Sequence, residues 1–564
     1  MTESIPAAAP AADAWNPGIG PGIPPQFRRL ETIFRPECSS SSPGEIAELE
    51  SLTGLPSEEL TAFRPERLAL HEVIVRVTAD LAVAEGEIEE NFGQNFRAIA
   101  RLLLAEAVEP NIARLAADWK AWRDGAAAEI ARILETALSA TPAEPKRRRW
   151  LDRLFAWKHS AAGPSWPPDE ADVVAGFRST GLAAEHPETR AIYRSLYRVL
   201  GAIQIRRGRI GGDTALLARL VTDHVANDYG GQLLGTWLSP AFAATIERHG
   251  LTRVPPRDAP VLISLKGASA AGKSSLRPMI KRLLYEEGIE PDGYATISPD
   301  VWRRLLLDYE ALGDAYKYAG HLTSRELMVI DGKLDRYIRR KATIDHAIPH
   351  LLVDRFRFDS FESEKIGRVL HETYARHVDT LYMYFVITPP EETVLRGWQR
   401  ALERGRYKAV EDFLGHSVEA YSGMPKVFFK WVAHERPLYR YSFLDNRVPK
   451  GSFPRTIAFG TQREMTICDP LGLVDIARYQ RIDVNAETAD AVYPATEDFS
   501  VEANLGFLDE CLQQLPLIRF AETPDAPPYA LRQSGQFAIL EPERFAALRR
   551  VPDLDRVFAH ILGE

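Results

Sequence analysis

Gly267, Gly272, Lys273 and Ser274 stand at the spacing G-x-x-x-x-G-K-[ST] within Gly267-Ala268-Ser269-Ala270-Ala271-Gly272-Lys273-Ser274-Ser275. Glycines at the two ends permit backbone angles that turn successive N–H groups toward one point, where an anion can sit. A helix beginning near Lys273 adds the positive end of its dipole to that point. In such a loop Lys273 reaches the β- and γ-phosphates, Ser274 places its hydroxyl on Mg²⁺ and Ser275 bonds a phosphate oxygen. ATP with Mg²⁺ is therefore the expected cofactor pair. An accidental glycine loop is the competing reading, and the context weighs against it. Val261 to Leu265 reads as a buried strand ahead of the loop, and Leu276, Ile280, Leu283 and Leu284 as an amphipathic helix after it.

Further groups follow at the ends of apolar runs, where open α/β sheets collect their active residues. Tyr294 to Ile297 reads as a second strand leading into Ser298-Pro299-Asp300-Val301-Trp302-Arg303. A carboxylate at Asp300 could take the proton of an attacking hydroxyl, or cap the helix that follows. Ile348 to Asp354 reads as a third strand ending in a carboxylate placed to hold Mg²⁺, unless Asp354 only turns the chain. Arg303, with Arg355 and Arg357 in the next loop, is a candidate grip on an anionic acceptor; surface charge is the alternative for the last two. After a fourth strand, Leu381 to Ile387, five cations (Arg396, Arg400, Arg404, Arg406, Lys408) accompany one acid, Glu403. That run is either a solvated helix or a mobile lid whose arginines neutralise charge on a transferred phosphoryl group. Arg400 and Arg404, four apart, share one face and are the lid arginines selected.

The elements that must carry these groups sort into four stretches. Residues 1–44 are rich in Ala, Pro, Gly and Ser and read as a flexible leader. Residues 45–253 carry helical stripes such as Leu70, Ile74, Val77, Leu81 and read as an all-helical accessory domain without a catalytic constellation. Lys146 to Trp166 interleaves basic and aromatic residues, readable as a nucleic-acid contact or as a helix start beside core tryptophan. His71 and His224 lie on or beside apolar stripes, as core or surface histidines do. Residues 254–470, after the linker Val254 to Pro260, alternate strands and helices as a doubly wound, mostly parallel α/β sheet does. Arg455–Phe459 and Met465–Cys468 read as a hairpin, and 471–564 as a small α+β tail.

At 564 residues the chain exceeds one ordinary core. A formal charge of −9 argues against a general nucleic-acid coat, and three scattered cysteines suit a reducing cytoplasm. The longest uncharged run, Tyr229 to Ile246, includes Gln232, Ser239, Pro240 and several glycines and so falls short of a membrane span. An [NT]-K-x-D guanine motif is absent, since Gly332-Lys333-Leu334-Asp335 lacks its first residue, so ATP is favoured over GTP.

The order GASAAGKSS, then ISPDVWR, then an apolar strand with a charged loop and an Arg-rich lid before Tyr441 to Asn446, resembles the zeta-toxin family of P-loop kinases over about residues 255–470. The resemblance implies a P-loop kinase domain that moves the γ-phosphate of ATP to a sugar hydroxyl, in known members that of UDP-N-acetylglucosamine. It implies Lys273 and Ser274 for nucleotide and Mg²⁺, Asp300 as base, lid arginines near Arg400 and Arg404, and an antitoxin as protein partner. The long helical half and the Asp354 loop depart from the family pattern. Two other classes stay open: a nucleic-acid end kinase, and a nucleotide-dependent switch that only hydrolyses ATP. One role open to the helical half is to cover the cleft.

Overall fold

The computed structural model describes residues 12–86, 88–138, 170–346, 348–354, 374–449 and 451–564. Its centre is a ten-stranded sheet. Strands β1 (Val261–Gly267), β2 (Tyr294–Ile297), β3 (His350–Val353), β4 (Thr380–Ile387) and β5 (Leu438–Asp445) lie side by side in the order β2-β3-β1-β4-β5, all parallel. Their near-continuous apolar runs suit strands covered on both faces; Leu262, Ile263, Leu351, Leu352, Met383 and Phe385 are wholly buried. Register sets Ile263 between Leu352 and Tyr382, so β1 is central and its loop opens beside the ends of β3 and β4.

The sheet continues past β5. β6 (Arg455–Thr461) and β7 (Glu464–Ile467) form the expected antiparallel hairpin, and β8 (Leu517–Phe520), β9 (Ala530–Gln533) and β10 (Gln536–Ile539) extend it. The boundary expected at 470/471 therefore divides no core: β8 pairs in parallel with β7, because Ile518 and Phe520 need the same apolar cover as Met465 and Ile467. The sheet as a whole is mixed, with its parallel order concentrated around β1.

The first half of the chain is helical, as its stripes require. Leu70, Ile74, Val77 and Leu81 are buried, the first three on the helix Pro65–Asp80, which packs on β2 and on the helix Ser324–Arg340. The break expected at Pro110 is a π-turn, Leu104–Val108, followed by a 3-10 turn, Glu109–Asn111. Helical half and sheet share one continuous apolar core, joined by buried charge. Arg67 forms a two-pronged pair with Glu326 (2.5 and 2.7 Å), and His71 Nε2 meets the same carboxylate at 2.7 Å. His71 is thus a core residue. The segment Lys146–Trp166 lies outside the described residues.

The expected flexible leader is corrected from residue 12 onward. Ile33, Phe34 and Cys38 are buried, and Phe27 and Leu30 pack on Leu307, Tyr309 and Leu312. Scattered aromatic and aliphatic side chains provide the anchoring, while prolines preset short turns such as Pro25–Leu30. Ser42, within the stretch read as the leader, caps the next helix by accepting from Glu45 N.

Candidate active site

Gly272 ends the loop after β1 and caps the helix Lys273–Glu286, with φ at +98°. A side chain there would be strained, and its Cβ would lie 2.2 Å from Asn446 Nδ2. Asn446, just beyond β5, donates to Ala271 O (2.7 Å), and Thr388 Oγ1, just beyond β4, donates to the same oxygen (3.1 Å). Three strand ends therefore hold the loop's shape. Lys273 Nζ donates to Gly267 O (2.7 Å) and Ala268 O (2.9 Å), so the ammonium lies over the loop. The first turn of a helix offers main-chain N–H groups that its own carbonyls do not use.

Ser274 Oγ donates to Asp354 Oδ2 at 2.7 Å. Asp354 sits at the carboxyl end of β3, its N–H held by Ile297 O at 2.9 Å. Burial raises the Asp354 pKa, against the opposing pull of Arg277, Lys273 and the Ser274 bond. A hydroxyl in the first turn of the helix after β1 and a carboxylate at the end of the adjacent β3 make an oxygen-donor pair suited to a hard cation that keeps several other oxygen ligands.

The loop opens into a cavity of about 600 Å³, ample for a nucleotide and a small acceptor. Gly267 to Ser275, Asp300, Arg303, Asp354, Arg400 and Arg404 all line it, so nearly every residue selected from sequence meets in one place. Arg355 and Arg357 lie outside the described residues. Among the described residues, those lining the cavity come from 267–452, and the described part of the helical half packs behind the site.

Asp300 is gripped by Arg406 and by Arg303 Nε (3.1 Å). Burial would raise its pKa, but Arg406, Arg303 and Arg400 together hold the carboxyl well below its usual range. Arg303 is also anchored, donating through Nη1 to Thr323 Oγ1 (2.7 Å) and Ser324 Oγ (3.3 Å) as well as to Gly320 O. Its guanidinium orients Asp300 and the turn before Ser324–Arg340, and it lines the same cavity as the loop after β1.

The Arg-rich run divides into the helix Pro390–Arg404, ended by Gly405 in the left-handed region, and a short loop before the helix Val410–Val432. That break carries Arg406 onto Asp300, a partner that helical spacing concealed. Arg396 Nη2 donates to Asn446 O (2.7 Å), tying the helix to the phosphate loop. Lys408 Nζ is 2.7 Å from His416 Nδ1, and His321 Nε2 is 3.3 Å from Asp412 Oδ2; all four side chains line the cavity. Burial, then Lys408, pushes His416 down to about 3. Burial likewise holds Lys408 well below a lysine's ordinary value. Lys408 stood in the basic run, whereas His416, Asp412 and His321 carried no motif to announce them.

No family model matches this sequence, and no curated protein matches it. Solved structures partly similar to this chain include these three. One is the crystal structure of AvrRxo1-ORF1:-ORF2 with ATP, at 17% identity and TM-score 0.32, covering 41% of this chain and 67% of that one. The native AvrRxo1-ORF1:-ORF2 complex has 14% identity and TM-score 0.28, covering 58% and 81%. The PezAT chromosomal toxin–antitoxin system of Streptococcus pneumoniae has 15% identity and TM-score 0.26, covering 36% and 76%. Likeness at this level identifies no family, and the site has to be read from its own geometry.

Proposed function

We propose that this chain is an ATP- and Mg²⁺-dependent phosphotransferase that moves the γ-phosphate to a hydroxyl of a small metabolite, with a nucleotide sugar such as UDP-N-acetylglucosamine as the first acceptor to test. The observation that carries the reading is the bond from Ser274 to Asp354, set beside a glycine-cornered loop under Lys273 and opening on Asp300 and Arg406 in one cavity.

The donor set fits a magnesium nucleotide. Gly267 to Ser275 would cradle the phosphates through main-chain N–H groups, with Lys273 released from its carbonyls to the phosphate oxygens. Ser274 and Asp354 would hold Mg²⁺, which when bound neutralises charge between the β- and γ-phosphates. Asp300, kept anionic by Arg303 and Arg406, accepts a hydrogen bond from the acceptor hydroxyl and orients its oxygen toward phosphorus. A carboxylate so stabilised is a weak base, so its work is mainly orientation, with the proton following late. Arg400, Arg404 and Arg406 offset the charge spreading over the transferred oxygens. A protein antitoxin remains a partner class to test.

The test is a metabolite screen with γ-labelled ATP. Label on a sugar nucleotide or another small alcohol supports the proposal. Label on oligonucleotide ends would make the chain an end kinase, and release of free phosphate alone would make it a switch.

A further inference from the structure

The corner behind Ser274 and Asp354 buries two cations that draw on a carboxylate from the other half of the chain. Arg277, one turn into the helix Lys273–Glu286, is 1% exposed, with its guanidinium 4.3 Å above the ring of Phe92. Lys281, one turn further, is also buried. Buried cations are tolerated where carboxylates pair with them. One such carboxylate comes from the helical half. Glu85 accepts from Arg277 Nε at 2.9 and 2.7 Å and pairs with Lys281 at 3.0 Å. Its loop is pinned by Ala82 N to Thr252 O (2.9 Å) and by Asn95 Nδ2 to Ala84 O (3.0 Å). Arg277 Nη1 stays 3.4 Å from Asp354 Oδ2, a long contact beside the short ones to Glu85.

We propose that the helical half keeps the cation site open: Glu85 draws the Arg277 guanidinium away from Asp354, leaving that carboxylate to Ser274 and a divalent cation. Both are positioning residues, and the proposal rests on the reading of this site as a magnesium nucleotide site. Without Glu85, Arg277 closes on Asp354 and competes with the cation for its oxygens.

The test uses the full-length chain and a fluorescent ATP analogue, with binding measured while Mg²⁺ is titrated and again without Mg²⁺. In Glu85→Gln the Mg²⁺ concentration for half-maximal enhancement rises about tenfold, while Mg²⁺-free binding stays unchanged. Arg277→Met, close in volume and uncharged, keeps or lowers the wild-type requirement, and Glu85→Gln/Arg277→Met returns to it. A merely structural role would leave the double variant no better than Glu85→Gln. Unaltered Mg²⁺ dependence in a folded Glu85→Gln, or a raised requirement in Arg277→Met, would overturn the proposal; the second result decides even where Glu85→Gln does not fold. A wild-type chain whose analogue binding ignores Mg²⁺ would overturn the parent reading and this one together.

Discussion

Single atoms decide the strongest expectations. Removing the Lys273 ammonium takes a positive charge from over the loop after β1. Lys273→Ala is expected to weaken ATP binding at least tenfold by calorimetry, with the melting temperature retained. Asp300→Asn keeps the size of the side chain but gives up the anion that Arg303 and Arg406 surround. Phosphate transfer should fall by about 10²–10⁴-fold while ATP still binds; normal turnover in that variant would remove Asp300 from the reaction. Sequence reading located both residues because each sits in a local motif. Nothing local reveals that Thr323 and Ser324 accept from Arg303 Nη1.

Elements add what spacing cannot. The basic run reads as one continuous lid, but Gly405 ends the helix and turns the next two residues into the cavity. Arg406 then reaches Asp300 while Arg404, the helix's last residue, gives its carbonyl to Arg304. Arg406→Ala is accordingly expected to cost more in kcat than Arg404→Ala, about tenfold or more, in assays at saturating ATP. Equal losses would mean that helix face, rather than the break after it, selects the working arginine. Gly405→Ala tests the same break from the backbone side. A Cβ at φ +64° would lie 1.4 Å from the Tyr316 hydroxyl, so about 1 kcal/mol or more of stability should be lost in denaturant titration.

Across the whole molecule, helical half and sheet stand or fall together. Val73, Ile74 and Val77 are fully buried in the shared core, and Arg67 and His71 both end on Glu326. A fragment beginning at residue 254 is expected to be poorly soluble, since it exposes the apolar face under Pro65–Asp80 and leaves Glu326 unpaired. Good solubility with cooperative unfolding would contradict that. The joint should also be acid-sensitive. Burial, then Lys333, brings the His71 pKa down to about 4 from 6.5, so the unfolded chain binds the extra proton first as pH falls. Stability is therefore complete above about pH 6.5 and declines below it, by about 2 kcal/mol at pH 5 from this group. Urea midpoints at pH 7.5 and pH 5 should show the loss, and His71→Gln should reduce it.

Local pattern alone determined the glycine-cornered loop after β1, the parallel strands around it and the helical character of the first half, because each rests on spacing within a dozen residues. Asp300 and Asp354 were legible for the same reason: strands of apolar residues point to their own ends. Only the tertiary structure decided that Arg406 rather than Arg404 meets Asp300, that residues 12–44 pack on the body, and that β8 to β10 prolong the central sheet. It alone brought Glu85 to Arg277, across 192 positions of chain. Side-chain charges and apolar surfaces choose partners by proximity after folding, and that proximity is a property of the packed core rather than of any short stretch.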